Sequence, residues 1–128
     1  MMWLEIIGKS LTRAYSIASA NHIEEMEFLS IKVSDGKLTS DLQNIKIGDP
    51  ILLSSKPTGT LVGDHLLPGR HFSLSGTGLA PFMSIIRDPS IYERFDKIIF
   101  THDVRYIGEL FCLEIIENEL PKNPYFGD

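Results

Sequence analysis

The chain has 128 residues, 43% of them hydrophobic, with 12 basic and 17 acidic side chains for a net charge of −5. That size allows one domain or two small incomplete halves. The acidic balance argues against nucleic acid as a partner, and no apolar run is long enough to span a bilayer. The one cysteine, Cys112, excludes an internal disulfide and suits a reducing cytoplasm. The opening MMWLEIIGKSLTR has neither a basic lead nor a small-residue cleavage site, so no signal peptide is expected.

Before Gly69 the signals are those of β structure. LTRAYSIAS and EMEFLSIKV are short runs rich in β-branched and aromatic residues, separated by the polar turn ANHIEE. The second run loses its alternation at Leu29-Ser30, which predicts a bulge or a change of buried face there. SDGK marks a turn. Beyond it Leu38, Leu42 and Ile45 fall at helical spacing, and Ser40 with Gln43 forms a plausible capping box. PILLSS reads as a further strand. Several short strands with turns and one short helix suggest part of an antiparallel barrel.

LLPGRH, residues 66–71, punctuates a change of pattern, and the reading divides the chain at 1–68 and 69–128. RHFSLS is strand-like, and LAPFMSIIRD is helical, with Pro81 in its first turn where a missing N–H costs little. KIIFTH is a continuous apolar run, as expected of a strand covered on both faces. GELFCLEIIENEL carries Leu110, Leu113, Ile116 and Leu120 at spacings of three and four, which predicts an amphipathic helix. The order is βαβα, the start of a parallel sheet.

Between the first of these strands and its helix lies Gly76-Thr77-Gly78. A helix N-terminus offers unpaired N–H groups and the positive end of the helix dipole, so a phosphate or pyrophosphate is the natural ligand of such a loop. A tight strand-to-helix turn with no ligand fits the three residues equally well. In RAYS, Arg13 and Tyr15 share one face of a strand and Ser16 lies on the other. Taken alone, these are an exposed arginine, a packed tyrosine and a surface serine. His22, His65, His71 and His102 are scattered, so no metal site and no catalytic triad is indicated.

RAYS, FLSIKV, DGKLTSDL, KPTGTL, GTGLAPFMSIIRDP and THDVRYIGEL occur together and in this order. In that combination the chain resembles the bacterial-type ferredoxin–NADP⁺ reductases, also called flavodoxin reductases, from Leu4 to its last residue. The resemblance implies a mixed α/β fold. A partial antiparallel Greek-key β-barrel that binds FAD would occupy 1–68, and a partial Rossmann-like α/β unit that binds NADP would occupy 69–128. It implies that Arg13 pairs with the FAD pyrophosphate as a planar donor fork. Ala14 belongs to the same cofactor-binding strand. Tyr15 would stack on the flavin ring, and Ser16 would lie beside the flavin atom that accepts hydride. Ile31, Lys32 and Val33 match a segment that runs along the cofactor. Gly36, Lys37, Leu38 and Thr39 match a loop and helix start that hold the pyrophosphate, although Lys37 also reads as a solvated turn lysine and Thr39 as a cap. Gly76, Thr77 and Gly78 would meet the nicotinamide end of NADP(H), and Arg105 the 2′-phosphate that separates NADP from NAD.

The implied activity is hydride transfer between NADPH and FAD, with electrons passed to ferredoxin or flavodoxin. The alternative is a non-catalytic remnant of the fold that binds a flavin or nucleotide, or serves in assembly. Family members are about twice this length, the size of two complete domains. Against that pattern the sequence is expected to lack opening barrel strands and the later part of the NADP unit, and its lead-in reads SGTG where the family reads STGTG. Open sheet edges and uncovered apolar faces would then be closed by a second copy, so a homodimer or larger oligomer is expected.

Overall fold

A computed structural model describes residues 1–8, 11–31, 33, 36–76 and 78–124. The first sheet is antiparallel. Strand β1, Met2–Ile6, lies at its centre between β2, Thr12–Tyr15, and β3, Ile51–Leu53. The register sets Met2 opposite Tyr15 and Leu4 opposite both Arg13 and Leu53. Side chains alternate as the pleat requires: Met2 and Leu4 are 6% and 4% exposed, and Trp3 between them is 46% exposed. Directly paired residues share a face, so Arg13 and Tyr15 stand on the side of Met2 and Leu4. The expected antiparallel character is present as an open three-stranded sheet.

Several elements differ from expectation. The sequence reading assigns no strand to the opening residues, yet they form the sheet's centre. The apolar Trp3 masks the alternation of Met2 and Leu4. The expected strand over EMEFLSIKV is reduced to one bridge, Phe28 with Ile17. Beyond it Ile31 and Val33 are exposed, and β propensity without a partner strand yields no ladder. Helix α1 spans only Thr39–Leu42, and the Ser40–Gln43 capping box does not form. Thr39 Oγ1 donates to the Val33 carbonyl at 3.3 Å instead, and Gln43 Nε2 donates to the Ser40 carbonyl at 2.9 Å.

The second sheet is parallel. Strand β4, Gly69–Gly76, pairs with β5, Phe95–His102, from Gly69↔Phe95 to Gly76↔His102. Helix α2, Leu79–Ile86, and the short α3, Pro89–Tyr92, form the crossover between them. Strand–helix–strand with parallel pairing is the expected order. Leu79, Met83 and Ile86 repeat at four and three residues and are buried, and with Leu74, Ile85, Ile91, Phe95 and Ala18 they make the main core. Asp88 separates the helices: its carboxylate accepts from the Ser90 amide at 3.0 Å, and Pro89 opens the next turn.

β5 is covered on one face, not two: Ile98, Phe100 and His102 are half-buried, while Lys97, Ile99 and Thr101 are exposed. The amphipathic helix expected over 108–120 is also broken. A 3₁₀ turn occupies Ile107–Glu109, Cys112 takes a left-handed φ of 62°, and a π-helical turn follows at Ile115–Glu119. The Glu109 carboxylate accepts from the Arg105 and Tyr106 amides at 3.1 and 3.3 Å, which closes a local turn before any helix can start. The stripe is shifted as a result: Cys112, Ile115, Ile116 and Leu120 pack on the core, and Leu113 stays exposed.

Candidate functional site

The loop after β4 lies at the carboxyl ends of two parallel strands, where open α/β sheets place their ligands. Gly76 has φ 149°, a backbone conformation that suits glycine, while a Cβ there would meet the Phe82 ring at an ordinary 3.6 Å. Thr77 lies outside the described residues. Gly78 occupies the N-cap of α2 with no side-chain cap, and a Cβ on it would meet nothing within 4 Å. The cap residue is exposed, and the first turn of α2 has N–H groups at Leu79 and Ala80 but none at Pro81, donors of the kind that bind phosphate at helix starts. His102 stands beside the turn, its Nδ1 3.3 Å from the Gly76 carbonyl and its ring stacked on Phe100 at 6.1 Å.

The RAYS strand ends at a cavity of about 490 Å³, within the range of small-molecule sites. Ser16 and Ile17 line it together with Pro81, Ser84 and Ile85 of α2 and the segment 57–63. Of the site residues read from the sequence, Ser16 lines this cavity. Tyr15 is half-buried, and Arg13 and Ala14 are exposed on β2. The Arg13 guanidinium donates to its neighbour's carbonyl, Thr12 O, at 2.9 Å, which leaves it at the surface for an anion. Ile31 is 72% exposed and Val33 41%, and Lys32 lies outside the described residues. The Gly36 amide donates to the Val33 carbonyl at 3.0 Å, Lys37 is exposed and Leu38 is buried at the start of α1. Arg105 is exposed after β5, its backbone held by Glu109.

The sequence reading missed the groups that join the two sheets. Arg94 donates to the Gly63 carbonyl at 2.6 Å and to the Leu66 carbonyl, fixing the connection into β4. Ser84 donates to the Ser19 carbonyl at 2.8 Å, and Arg87 pairs with Glu27. The only forewarning in the sequence is the run Ala18-Ser19-Ala20, whose small side chains permit a close approach. Two groups near this junction have shifted acidity. Burial pushes the Tyr92 phenol above its usual value, and its hydroxyl donates to the Ile86 carbonyl at 2.8 Å. Burial also pushes the Cys112 thiol up, with Arg87 opposing and Glu27 adding to the shift.

These elements define a mixed α/β chain in which an antiparallel sheet precedes a Rossmann-like parallel unit. No family model matches the chain. Over all of its residues it is 55% identical to a ferredoxin–NADP reductase of Pseudomonas aeruginosa and 54% identical to one of Azotobacter vinelandii, covering 50% of each. A solved ferredoxin NADP⁺ reductase from Neisseria gonorrhoeae with bound FAD and NADP superposes with a TM-score of 0.79 at 30% identity, over 87% of this chain and 47% of that one. The chain is thus similar to ferredoxin–NADP reductases over its whole length, and it spans about half the length of the curated relatives it matches. No helix among the described residues is long and apolar enough to cross a membrane.

Proposed function

We propose that the chain serves a ferredoxin–NADP reductase activity, with residues 1–68 contributing to an FAD site and 69–128 to an NADP(H) site. The observation that carries the reading is the meeting of the RAYS strand and α2 on one cavity, in a chain that matches such reductases over its whole length. When bound, the cofactors supply the redox chemistry: a hydride leaves NADPH for FAD, giving NADP⁺ and reduced flavin, whose electrons pass singly to ferredoxin or flavodoxin.

The chain's own residues bind and orient. Arg13 offers a donor fork to the FAD pyrophosphate, and the Gly36–Thr39 turn offers backbone N–H groups to the same anion. Tyr15 presents a flat ring to the flavin, Ser16 a hydroxyl beside its reactive edge, and Ile31, Lys32 and Val33 belong to the segment that runs along the cofactor. Gly76, Thr77 and Gly78 admit the nicotinamide end of NADP(H), and Arg105 holds the 2′-phosphate. The cytoplasm is the location implied. A homo-oligomer would cover exposed apolar side chains such as Trp3 and Leu52, and light scattering reads that directly.

The test is the visible spectrum of the purified chain loaded with FAD, before and after NADPH is added without oxygen. A flavin band that bleaches supports the reading. A band that persists leaves FAD binding standing and removes the NADP(H) role, and failure to take up FAD removes both.

A further inference from the structure

We propose that α2 is a spacer that fixes the RAYS strand relative to the glycine loop, with Ser84 and Arg87 as its positioning residues. This rests on the cofactor sites of the preceding reading. The helix starts directly after the loop, at the Gly78 cap, and its eight residues span about 12 Å at 1.5 Å per residue. Its second half grips the chain that continues from RAYS. Ser84 Oγ donates to the Ser19 carbonyl at 2.8 Å. One turn on, Arg87 Nη1 reaches the Ala18 carbonyl at 3.4 Å and pairs with the Glu27 carboxylate. Just beyond the helix, Asp88 accepts from Asn21 Nδ2 at 3.0 Å.

Every one of these partners lies in Ala18–Glu27, a stretch that begins three residues after Tyr15. It is stiff in its own right. The Ala18 amide donates to the Glu27 carbonyl at 2.8 Å, the Glu27 amide donates to Ser19 Oγ at 3.2 Å, and Ile17 bridges Phe28. Ala18, Ser19 and Ala20 are 2%, 3% and 3% exposed, and their small side chains bring the backbone carbonyls within reach of the helix. Apolar packing of Ala18 against the core would hold the two parts together without fixing their register. Directional bonds from Ser84 and Arg87 do fix it, because a hydroxyl and a guanidinium bond well only over a narrow range of distance and angle. A shift of about 1 Å between reacting groups costs on the order of a hundredfold in rate, so register at this junction matters to the reaction.

The experiment uses the full chain loaded with FAD, titrated with NADP⁺ while the flavin absorption difference spectrum is recorded, for wild type, Ser84→Ala, Arg87→Met and Arg87→Lys. FAD affinity, NADP⁺ affinity without FAD, and the thermal unfolding midpoint are measured alongside. The inference expects both Arg87 variants to keep FAD affinity within about threefold, while NADP⁺ binding to the FAD-loaded Arg87→Met and Ser84→Ala proteins weakens about tenfold, a loss of coupling between the sites. The difference spectrum should shrink with it, and Arg87→Lys should recover part of the loss. NADP⁺ affinity without FAD should not change. Variants that melt earlier yet keep the wild-type difference spectrum and NADP⁺ affinity overturn the inference, since the contacts are then structural only. Loss of FAD binding in Arg87→Met overturns it as well, because Arg87 lies outside the cavity lining and the helix then shapes one site and spaces nothing. If the wild type itself takes up no FAD, the cofactor reading fails first, and the inference falls with it.

Discussion

Gly63 sits where the connection from the first sheet turns towards β4, and a methyl group there would arrive 2.9 Å from Ile91 Cδ1. Ordinary carbon contacts are about 3.5–4.0 Å, so one of the two must move. Ile91 is 1% exposed in the main core and also lines the cavity beside Gly63, so its Cδ1 must either rotate towards that space or press on its neighbours. Overpacking of this kind costs about 1–3 kcal/mol. Against it stands the gain of about 0.4–1 kcal/mol from restricting the unfolded chain, available here because Gly63 is not in the left-handed region. Gly63→Ala should therefore destabilise by about 0.5–2 kcal/mol. In an Ile91→Val background the offending carbon is gone, and the next atom, Cγ1, is 3.9 Å away, an ordinary contact. The same substitution should then stabilise by about 0.4–1 kcal/mol, although Ile91→Val alone costs about 0.5–1.5 kcal/mol. Urea unfolding of the four proteins, followed by circular dichroism, gives the cycle. Additivity within about 0.5 kcal/mol would refute the steric argument and with it the placement of the connection on Ile91.

Met83 is 1% exposed at the centre of the same core, so Met83→Ala should cost about 2–5 kcal/mol in the same urea assay. Arg94→Ala should cost about 2 kcal/mol by removing charge-assisted bonds to the Gly63 and Leu66 carbonyls, and Arg94→Lys about half of that because an ammonium cannot bridge both. The alkaline limb of stability should be set partly by Cys112 and Tyr92, whose pKa values are both pushed up by burial from ordinary values of 9.0 and 10.0. The folded state holds these protons more tightly than the unfolded chain. Their contribution is therefore full below those ordinary values and is lost as pH rises through the raised folded values. Unfolding midpoints should fall as pH rises above 9.0, and the fall should be shallower in Cys112→Ala and in Tyr92→Phe.

The parallel half was legible because its signals are local. A turn glycine, a proline in the first helical turn, apolar residues at three and four, and Asp-Pro at the end of α2 each act within a few residues. The mixed α/β class and the βαβ order follow from them. In the first half, strand assignments depend on partners elsewhere in the chain. MWLEI becomes the centre of a sheet only because β2 and β3 flank it, and EMEFLSIKV has better strand composition but among its described residues pairs at Phe28 alone. The helix expected over 108–120 failed for a local reason that propensity did not weigh. One carboxylate, Glu109, satisfies two amides four and three residues before it and stops the turn short.

The candidate site shows the same division. The groups proposed to bind cofactor, Arg13, Tyr15, Ser16 and the two glycines flanking Thr77, are short motifs and can be read in line. What sets one motif against the other is a group of contacts 60 to 69 residues apart in sequence: Arg87 with Glu27, Ser84 with Ser19, Asn21 with Asp88 and Arg87 with Ala18. Nothing in SIIRD distinguishes Ser84 and Arg87 from ordinary residues on the polar side of a helix, and nothing in SIASA announces that its carbonyls will serve as acceptors. These residues act through distance, and a linear pattern carries no distance between remote segments. Two proteins could share RAYS and GTG letter for letter and still differ in reaction rate if this junction differed. Motif matching alone would rank them as equal, whereas the geometry at Ser84 and Arg87 would separate them.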